Sequence, residues 1–182
     1  RRIYTEEAMK ILLIGGSKSG KSHLAQELVR ATGRPMIYWA TMQPMDSEDE
    51  DRIAAHLLDR EGWGFTTLEC GRTLESAFDR VPNDSAVLLD SMTVLLANEM
   101  FAETIDEQAG ARTARSLLAL GEHVHTLVCV CDELWREEEA YGEGTVLFRR
   151  QLAEVCRKLA GEFDVVCEVV AGILHVWKGE LP

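Results

Sequence analysis

The feature that most constrains this chain is a glycine-rich segment between an apolar run and a helical pattern. Residues 15–22 are G-G-S-K-S-G-K-S, which matches G-x-x-x-x-G-K-[ST]. The preceding run at 11–14 predicts a buried strand, and residues 22–31 have the apolar spacing of a helix. In such a loop successive backbone N–H groups can wrap a phosphate, and the helix N-terminus adds a favourable dipole. The segment therefore predicts a phosphate-binding loop.

The loop residues have predicted contacts with a nucleotide. Lys21 is expected to reach the terminal phosphates, and the Ser22 hydroxyl is expected to ligate Mg²⁺. Asp90 ends the apolar run at 87–90, and an acid at the end of a neighbouring strand suits the same ion. Alternatively, Asp90 caps the helix predicted from Met92. The predicted nucleotide-binding residues of the loop are Gly15, Gly16, Ser17, Lys18, Ser19, Gly20, Lys21 and Ser22.

Apolar runs alternate with helical patterns along the rest of the chain. Strands are predicted at 11–14, 36–40, 65–68, 86–89 and 126–130, and helices at 22–31, 47–60, 92–101, 107–120 and 146–160. Two further strands, at 165–170 and 173–177, form a hairpin about Ala171-Gly172. The pattern predicts an α/β fold of the phosphate-loop NTPase type. Its mostly parallel sheet has helices on both faces and a C-terminal antiparallel hairpin strand.

Composition limits the class of protein. The 182 residues are 46% hydrophobic and contain no apolar stretch long enough for a membrane span, so we expect one globular domain. Residues 1–8 are expected to be a tag or a disordered extension, and residues 9–182 a single phosphate-loop nucleotide-binding domain. A net charge of -12 argues against a nucleic-acid partner. The five cysteines, an odd number lying partly in apolar runs, predict free thiols and a cytoplasmic location.

A second informative segment, at 51–60, has a helical pattern with one histidine. Arg52, His56 and Arg60 are spaced by four residues and so share one helix face. A row of cations that includes an imidazole suits anionic phosphates. A neutral imidazole can attack an α-phosphate and form a covalent intermediate. A solvated or capping histidine is the alternative interpretation.

Taken together, these segments resemble the family of bifunctional adenosylcobinamide kinases/adenosylcobinamide-phosphate guanylyltransferases. The family combines a phosphate loop with Y-[IV]-A-T, R-I-x-x-H, W-x-T-x-E and an acidic strand end followed by T-x-x-x-x-N. The corresponding residues here are 15–22, 38–41, 52–56, 63–69 and 90–98, and the segment after Trp63 is slightly longer than in the family. The resemblance extends over about residues 10 to 178, and the joint occurrence of the motifs makes it specific.

The resemblance implies two reactions. ATP or GTP phosphorylates the aminopropanol hydroxyl of adenosylcobinamide. GTP then guanylylates a histidine, pyrophosphate leaves, and the GMP passes to adenosylcobinamide phosphate. His56 matches that histidine, so His56 and Lys21 are the implied catalytic residues, with Mg²⁺ held by Ser22 and Asp90. The implied nucleotide-binding residues outside the loop are Thr41, Arg52, Glu69 and Asp90. A corrinoid substrate and a homotrimer are implied as well.

Two segments depart from the family pattern. Residues 130–140 are V-C-D-E-L-W-R-E-E-E-A where the family has V-S-N-E-V-G-x-G-[IL]-V-P, so Asp132 replaces Asn and the glycines and proline are missing. Residues 149–157 lack the glycine, Asn and Gln of R-D-x-x-G-x-x-N-Q. These differences leave two alternatives open: a diverged phosphate-loop kinase of another small molecule, or a nucleotide-binding protein that has lost one activity.

Deletion of residues 1–8 is expected to leave the melting temperature and the nucleotide affinity unchanged, because no apolar period ties this segment to the sheet. Thermal unfolding and nucleotide titration of the full and shortened chains measure both quantities. A melting temperature lower by several degrees in the shortened chain would show that the segment packs against the domain.

Overall fold

The computed structural model describes residues 7–43, 62–134 and 143–181. Its strands are β1 (Met9–Gly15), β2 (Met36–Ala40), β3 (Thr66–Glu69), β4 (Ala86–Asp90), β5 (Thr126–Asp132), β6 (Val165–Val170) and β7 (Ile173–Lys178). Its helices are α1 (Lys21–Ala31), α2 (Met92–Met100), α3 (Ala109–His123) and α4 (Glu143–Glu162), with a 3₁₀ helix at Leu74–Arg80. The helix predicted at 47–60, with Arg52 and His56, lies outside the described residues.

The seven strands form one sheet in the order β3-β2-β4-β5-β1-β6-β7. Every neighbouring pair is parallel except β6 and β7, which are antiparallel. The prediction of a mostly parallel sheet with a C-terminal antiparallel hairpin is therefore confirmed. Strand β1, which leads into the glycine-rich loop, lies between β5 and β6 in the interior of the sheet.

Side chains of successive residues on β1 enter two different cores. Ile11 and Leu13 belong to the cluster beneath α1, whereas Leu12 belongs to the larger cluster beneath α2, α3 and α4. This alternation is the pleat of a β-strand, whose successive side chains point to opposite faces. Because both faces are covered by helices, both sets of positions are apolar and the strand is a continuous hydrophobic run. The expectation of helices on both faces is confirmed.

The hairpin between β6 and β7 contacts the glycine-rich loop. Its two turn residues have positive φ, 50° at Ala171 and 79° at Gly172, as expected of a two-residue hairpin turn that follows the twist of its strands. The backbone N–H of Gly172 donates a hydrogen bond to the Ser19 carbonyl oxygen at 2.8 Å. The hairpin therefore braces the loop from the side.

Some boundaries differ from the predictions. The 3₁₀ helix at Leu74–Arg80 was not predicted, because a helix of seven residues gives too few apolar repeats to set a period. Helix α3 begins at Ala109 rather than at residue 107, because the Asp106 carboxylate accepts a hydrogen bond from the Gln108 N–H and turns the chain there. Among the described residues, no helix is long and apolar enough to cross a membrane.

The packing yields a stability prediction at Leu127 on β5, which is fully buried. Leu127→Ala is expected to lower the free energy of unfolding by about 2–5 kcal/mol, because it removes buried methyl groups and leaves a cavity. Ile173→Ala is the control, since Ile173 is 73% exposed on the edge strand and its loss should cost less than about 0.5 kcal/mol. Urea denaturation of both variants measures the difference; equal losses would contradict the assigned core.

Candidate nucleotide-binding site

The glycine-rich loop and the ends of two neighbouring strands surround one cleft. Gly15 ends β1 opposite Asp132 of β5, and β4 ends beside β5 at Asp90. Carboxyl ends of parallel strands meet at one edge of a sheet, where α/β proteins bind their ligands. The cleft has a volume of about 710 Å³. It is lined by residues 17–23 together with Tyr38, Ala40, Met42, Asp90, Ser91, Val94 and Asp132.

The loop presents a helix N-terminus to this cleft. Gly20, with φ of 93°, directly precedes α1, and no side chain caps the helix in the described residues. A first helical turn without a cap leaves N–H groups available for an anion. Gly15 is required by close packing, since a Cβ there would lie 2.6 Å from the Val169 carbonyl oxygen. The geometry is that of a phosphate-binding loop, as the sequence predicted.

Lys21, the first residue of α1, extends back over the loop. Its Nζ atom donates a hydrogen bond to the Gly16 carbonyl oxygen at 2.9 Å and lies 2.7 Å from Oδ1 of Asp132. The side chain is only 7% exposed. A buried ammonium needs such partners because desolvation of an unpaired charge costs several kcal/mol. Lys21 is thus held at the floor of the cleft, where the terminal phosphates of a bound nucleotide would lie.

Oxygen atoms of three side chains meet at the predicted magnesium site. Oδ2 of Asp90 accepts hydrogen bonds from the Ser22 hydroxyl at 3.1 Å and from the Tyr38 hydroxyl at 3.0 Å. A hydroxyl and a carboxylate are the hard oxygen donors that Mg²⁺ prefers. The alternative role of Asp90 as a helix cap is filled by Ser91, whose side chain accepts a hydrogen bond from the Val94 N–H. Ser22 and Asp90 therefore fit a bound Mg²⁺.

Two other predicted binding residues lie away from the cleft lining. The Thr41 side chain is fully buried, and its hydroxyl donates to the Ser91 carbonyl oxygen and accepts from the Ser91 N–H, both at 2.8 Å. This pair of bonds fixes the backbone that follows Asp90. Glu69 is exposed at the end of β3, an edge strand. Arg52 and His56 lie outside the described residues, so their roles stay predictions.

Four of the cysteines, Cys129, Cys131, Cys156 and Cys167, are buried on β5, α4 and β6, whereas Cys70 follows β3 and is half-buried. All five are free thiols, as predicted. Sγ of Cys131 lies 3.4 Å from Sγ of Cys156, and this contact together with burial raises the Cys131 pKa well above its usual value. Burial raises the pKa of Cys129 far above the usual range and that of Cys167 to about 11. Protonated, buried thiols are poor nucleophiles, so these residues act as small apolar groups.

Sequence reasoning assigned no role to two residues that the structure brings into the site. Tyr38 was noted only as part of a sequence pattern, yet its hydroxyl holds Asp90. Asp132 was noted only as a departure from a family pattern, yet its carboxylate pairs with Lys21. Asp132 ends β5, next to the strand that leads into the loop, whereas Tyr38 lies on β2, two strands further away, and both line the cleft. The end of the apolar run at 127–131 was the available signal for Asp132, since polar residues that follow parallel strands gather at one edge.

Comparisons with known proteins identify the family to which the chain is related. Residues 11–176 match the model of the family described as cobinamide kinase / cobinamide phosphate guanyltransferase. The chain is 31% identical over 181 residues to the bifunctional adenosylcobalamin biosynthesis protein CobU of Salmonella typhimurium, covering 91% of this chain and 97% of that protein. It is 28% identical over 172 residues to the bifunctional protein CobP of Pseudomonas aeruginosa, covering 94% of this chain and 99% of that protein.

A solved structure supports the fold alone. An ATPase from the type III secretion system of pathogenic bacteria superposes with a TM-score of 0.52 at 14% identity, over 88% of this chain and 50% of that one. The sheet, the loop at the end of β1 and the extent of the family match lead to one conclusion. The chain belongs to the cobinamide kinase / cobinamide phosphate guanyltransferase family.

Proposed function

We propose that this chain phosphorylates adenosylcobinamide and then transfers GMP from GTP to adenosylcobinamide phosphate, through a guanylyl-histidine at His56. The observation that carries the proposal is the meeting of Lys21, Ser22 and Asp90 at the N-terminus of α1 in a member of this family. The relatives of comparable length are named as bifunctional proteins of adenosylcobalamin biosynthesis. This reaction pair uses one triphosphate cleft for both steps.

In the first step the substrate hydroxyl attacks the γ-phosphorus of ATP or GTP. The bond to the β–γ bridging oxygen breaks, the nucleoside diphosphate leaves, and the hydroxyl proton is released. The loop N–H groups hold the phosphates, and Lys21 offsets the negative charge of the transferred group. Mg²⁺ bound at Ser22 and Asp90 would supply further charge neutralisation. Tyr38 contributes by holding the Asp90 carboxylate in one orientation.

In the second step a ring nitrogen of neutral His56 attacks the α-phosphorus of GTP. The bond to the bridging oxygen breaks, pyrophosphate leaves, and a phosphoramidate to GMP remains. A phosphate oxygen of adenosylcobinamide phosphate then attacks the same phosphorus and releases His56. Arg52, four residues before His56, supplies positive charge to the phosphates. The family resemblance assigns Thr41 and Glu69 to nucleotide binding as well, although neither lines the described cleft.

The setting that we propose is a homotrimer in the cytoplasm, with no nucleic-acid partner. The trimer is implied by the family resemblance. The five free thiols favour a reducing compartment, and the net charge of -12 disfavours a polyanionic partner. We assign residues 9–182 to one nucleotide-binding domain and residues 1–8 to an extension of it.

A second candidate is a chain that retains only the kinase step, or a kinase of another small molecule. The observation that favours it is the altered segment at the end of β5, where the carboxylate of Asp132 enters the cleft. An assay for the covalent intermediate separates the two candidates, because only the two-step enzyme needs one.

Lys21→Ala is expected to lower the rate of phosphoryl transfer by about 10²–10³-fold, because it removes a charge that stabilises the transition state. Stability should change little, since the side chain fills no part of the apolar core. Lys158→Ala is the matched control, because Lys158 is an exposed lysine on α4. Turnover of ATP with adenosylcobinamide measures the effect; full activity in Lys21→Ala would refute the role of the loop.

His56→Asn is expected to abolish labelling of the protein by α-labelled GTP while phosphorylation of adenosylcobinamide persists. The reason is that γ-phosphoryl transfer needs the loop, the metal and a bound hydroxyl, but no histidine nucleophile. The label should be acid-labile and base-stable, as a phosphoramidate is. Autoradiography of the denatured protein measures it, with His175→Asn on the edge strand as the control.

Two results would change the proposal. Equal labelling of the wild type and His56→Asn would point to another nucleophile. A wild-type chain that phosphorylates adenosylcobinamide but takes up no label would favour the single-step kinase.

A further inference from the structure

We propose that Asp132 is a built-in counter-ion of Lys21, and that the nucleotide phosphates must displace Asp132 to reach this lysine. Asp132 therefore weakens nucleotide binding and makes the nucleotide affinity depend more strongly on a divalent cation. The inference rests on the proposed function only in taking the cleft as a triphosphate site. The contact that carries it is the 2.7 Å ion pair between Nζ of Lys21 and Oδ1 of Asp132 within that cleft.

The backbone around Asp132 fixes this carboxylate in place. The N–H of Asp132 donates to the Thr93 hydroxyl oxygen at 2.8 Å, and the N–H of Glu133 donates to the Gly15 carbonyl oxygen at 3.0 Å. Asp132 is also in register with Gly15 across the β1–β5 pair. The carboxylate is therefore anchored beside the loop by two strands and one helix, rather than by a long flexible side chain.

Lys21 and Asp132 are buried to different extents, and this difference decides which of the two can give up the ion pair when phosphate binds. Lys21 is 7% exposed and Asp132 is 33% exposed. The lysine must keep an anionic partner in every state, whereas the aspartate can regain water. Phosphate oxygens can replace Asp132 at Lys21, because both are anionic acceptors of a charge-assisted hydrogen bond.

The displaced carboxylate stays in the cleft with the polyanion. Asp90 and Asp132 both line the space around the loop, so a bound triphosphate faces two carboxylates and two of the loop's cations, Lys18 and Lys21. Like charges brought together reduce affinity unless a cation offsets them. Metal-free nucleotide should therefore bind poorly, and the divalent cation should restore much of the lost affinity.

Asp132→Asn tests the proposal, because the amide keeps the shape and an acceptor oxygen but removes the charge. The probes are tripolyphosphate, GTP and guanosine, each titrated calorimetrically with a chelator and again with saturating Mg²⁺. We expect Asp132→Asn to bind metal-free tripolyphosphate and GTP about tenfold more tightly, with a smaller gain in Mg²⁺. Guanosine binding should not change, because it carries no phosphate.

Asp84→Asn is the charge-matched control, since Asp84 is exposed in the turn before β4 at the opposite end of the sheet. It should leave all affinities unchanged. Asp132→Ala is a second variant that should also tighten metal-free binding. Thermal unfolding checks that each variant is folded. A purely structural role of Asp132 would lower the melting temperature of its variants without tightening their phosphate binding.

Equal or weaker tripolyphosphate binding by both Asp132 variants would overturn the counter-ion role and leave the proposed function intact. Loss of turnover in Asp132→Asn at unchanged affinity would also overturn it, and would instead indicate a catalytic base. A wild-type chain that binds neither GTP nor tripolyphosphate would overturn both this inference and the proposed function.

Discussion

A buried ammonium group is the constraint on which the site depends. Lys21 can lie at the floor of the cleft only because the loop carbonyl of Gly16 and the carboxylate of Asp132 replace the water that it loses. The first partner exists because the side chain of Lys21 extends back over the loop that precedes α1. The second exists because β5 runs parallel to β1 and ends beside it. The position of the Lys21 Nζ atom therefore depends both on the local geometry of the loop and on the pairing of strands that are distant in sequence.

Asp90 and Asp132 lie at the same edge of the sheet but have different partners in the cleft. Asp90 accepts hydrogen bonds from the neutral hydroxyl groups of Ser22 and Tyr38, and the contacts described give it no cationic partner. Asp132 is neutralised by the lysine. Two aspartates that end adjacent strands thus differ in what they can bind.

Much of the fold could be predicted because the sheet is buried on both faces. Runs such as 127–131 are apolar at every position, and parallel pairing with helical crossovers follows from their alternation with helical patterns. The phosphate loop was predictable because its chemistry is encoded by consecutive residues. The contacts of Tyr38 and Asp132 were not, since each joins residues distant in sequence and depends on strand order. The burial of Thr41 behind the cleft likewise follows from its pairing with Ser91, which no local pattern encodes.

The hydrogen bond from the Gly172 N–H to the Ser19 carbonyl oxygen has a consequence for folding during translation. The phosphate loop leaves the ribosome early, but β5 and β6, which flank its strand, and the hairpin turn that supports it come much later. A nascent chain that has emerged only as far as α3 holds the loop sequence without the neighbours that shape it. A ligand that needs the shaped loop can therefore assist folding during translation only after the hairpin has emerged.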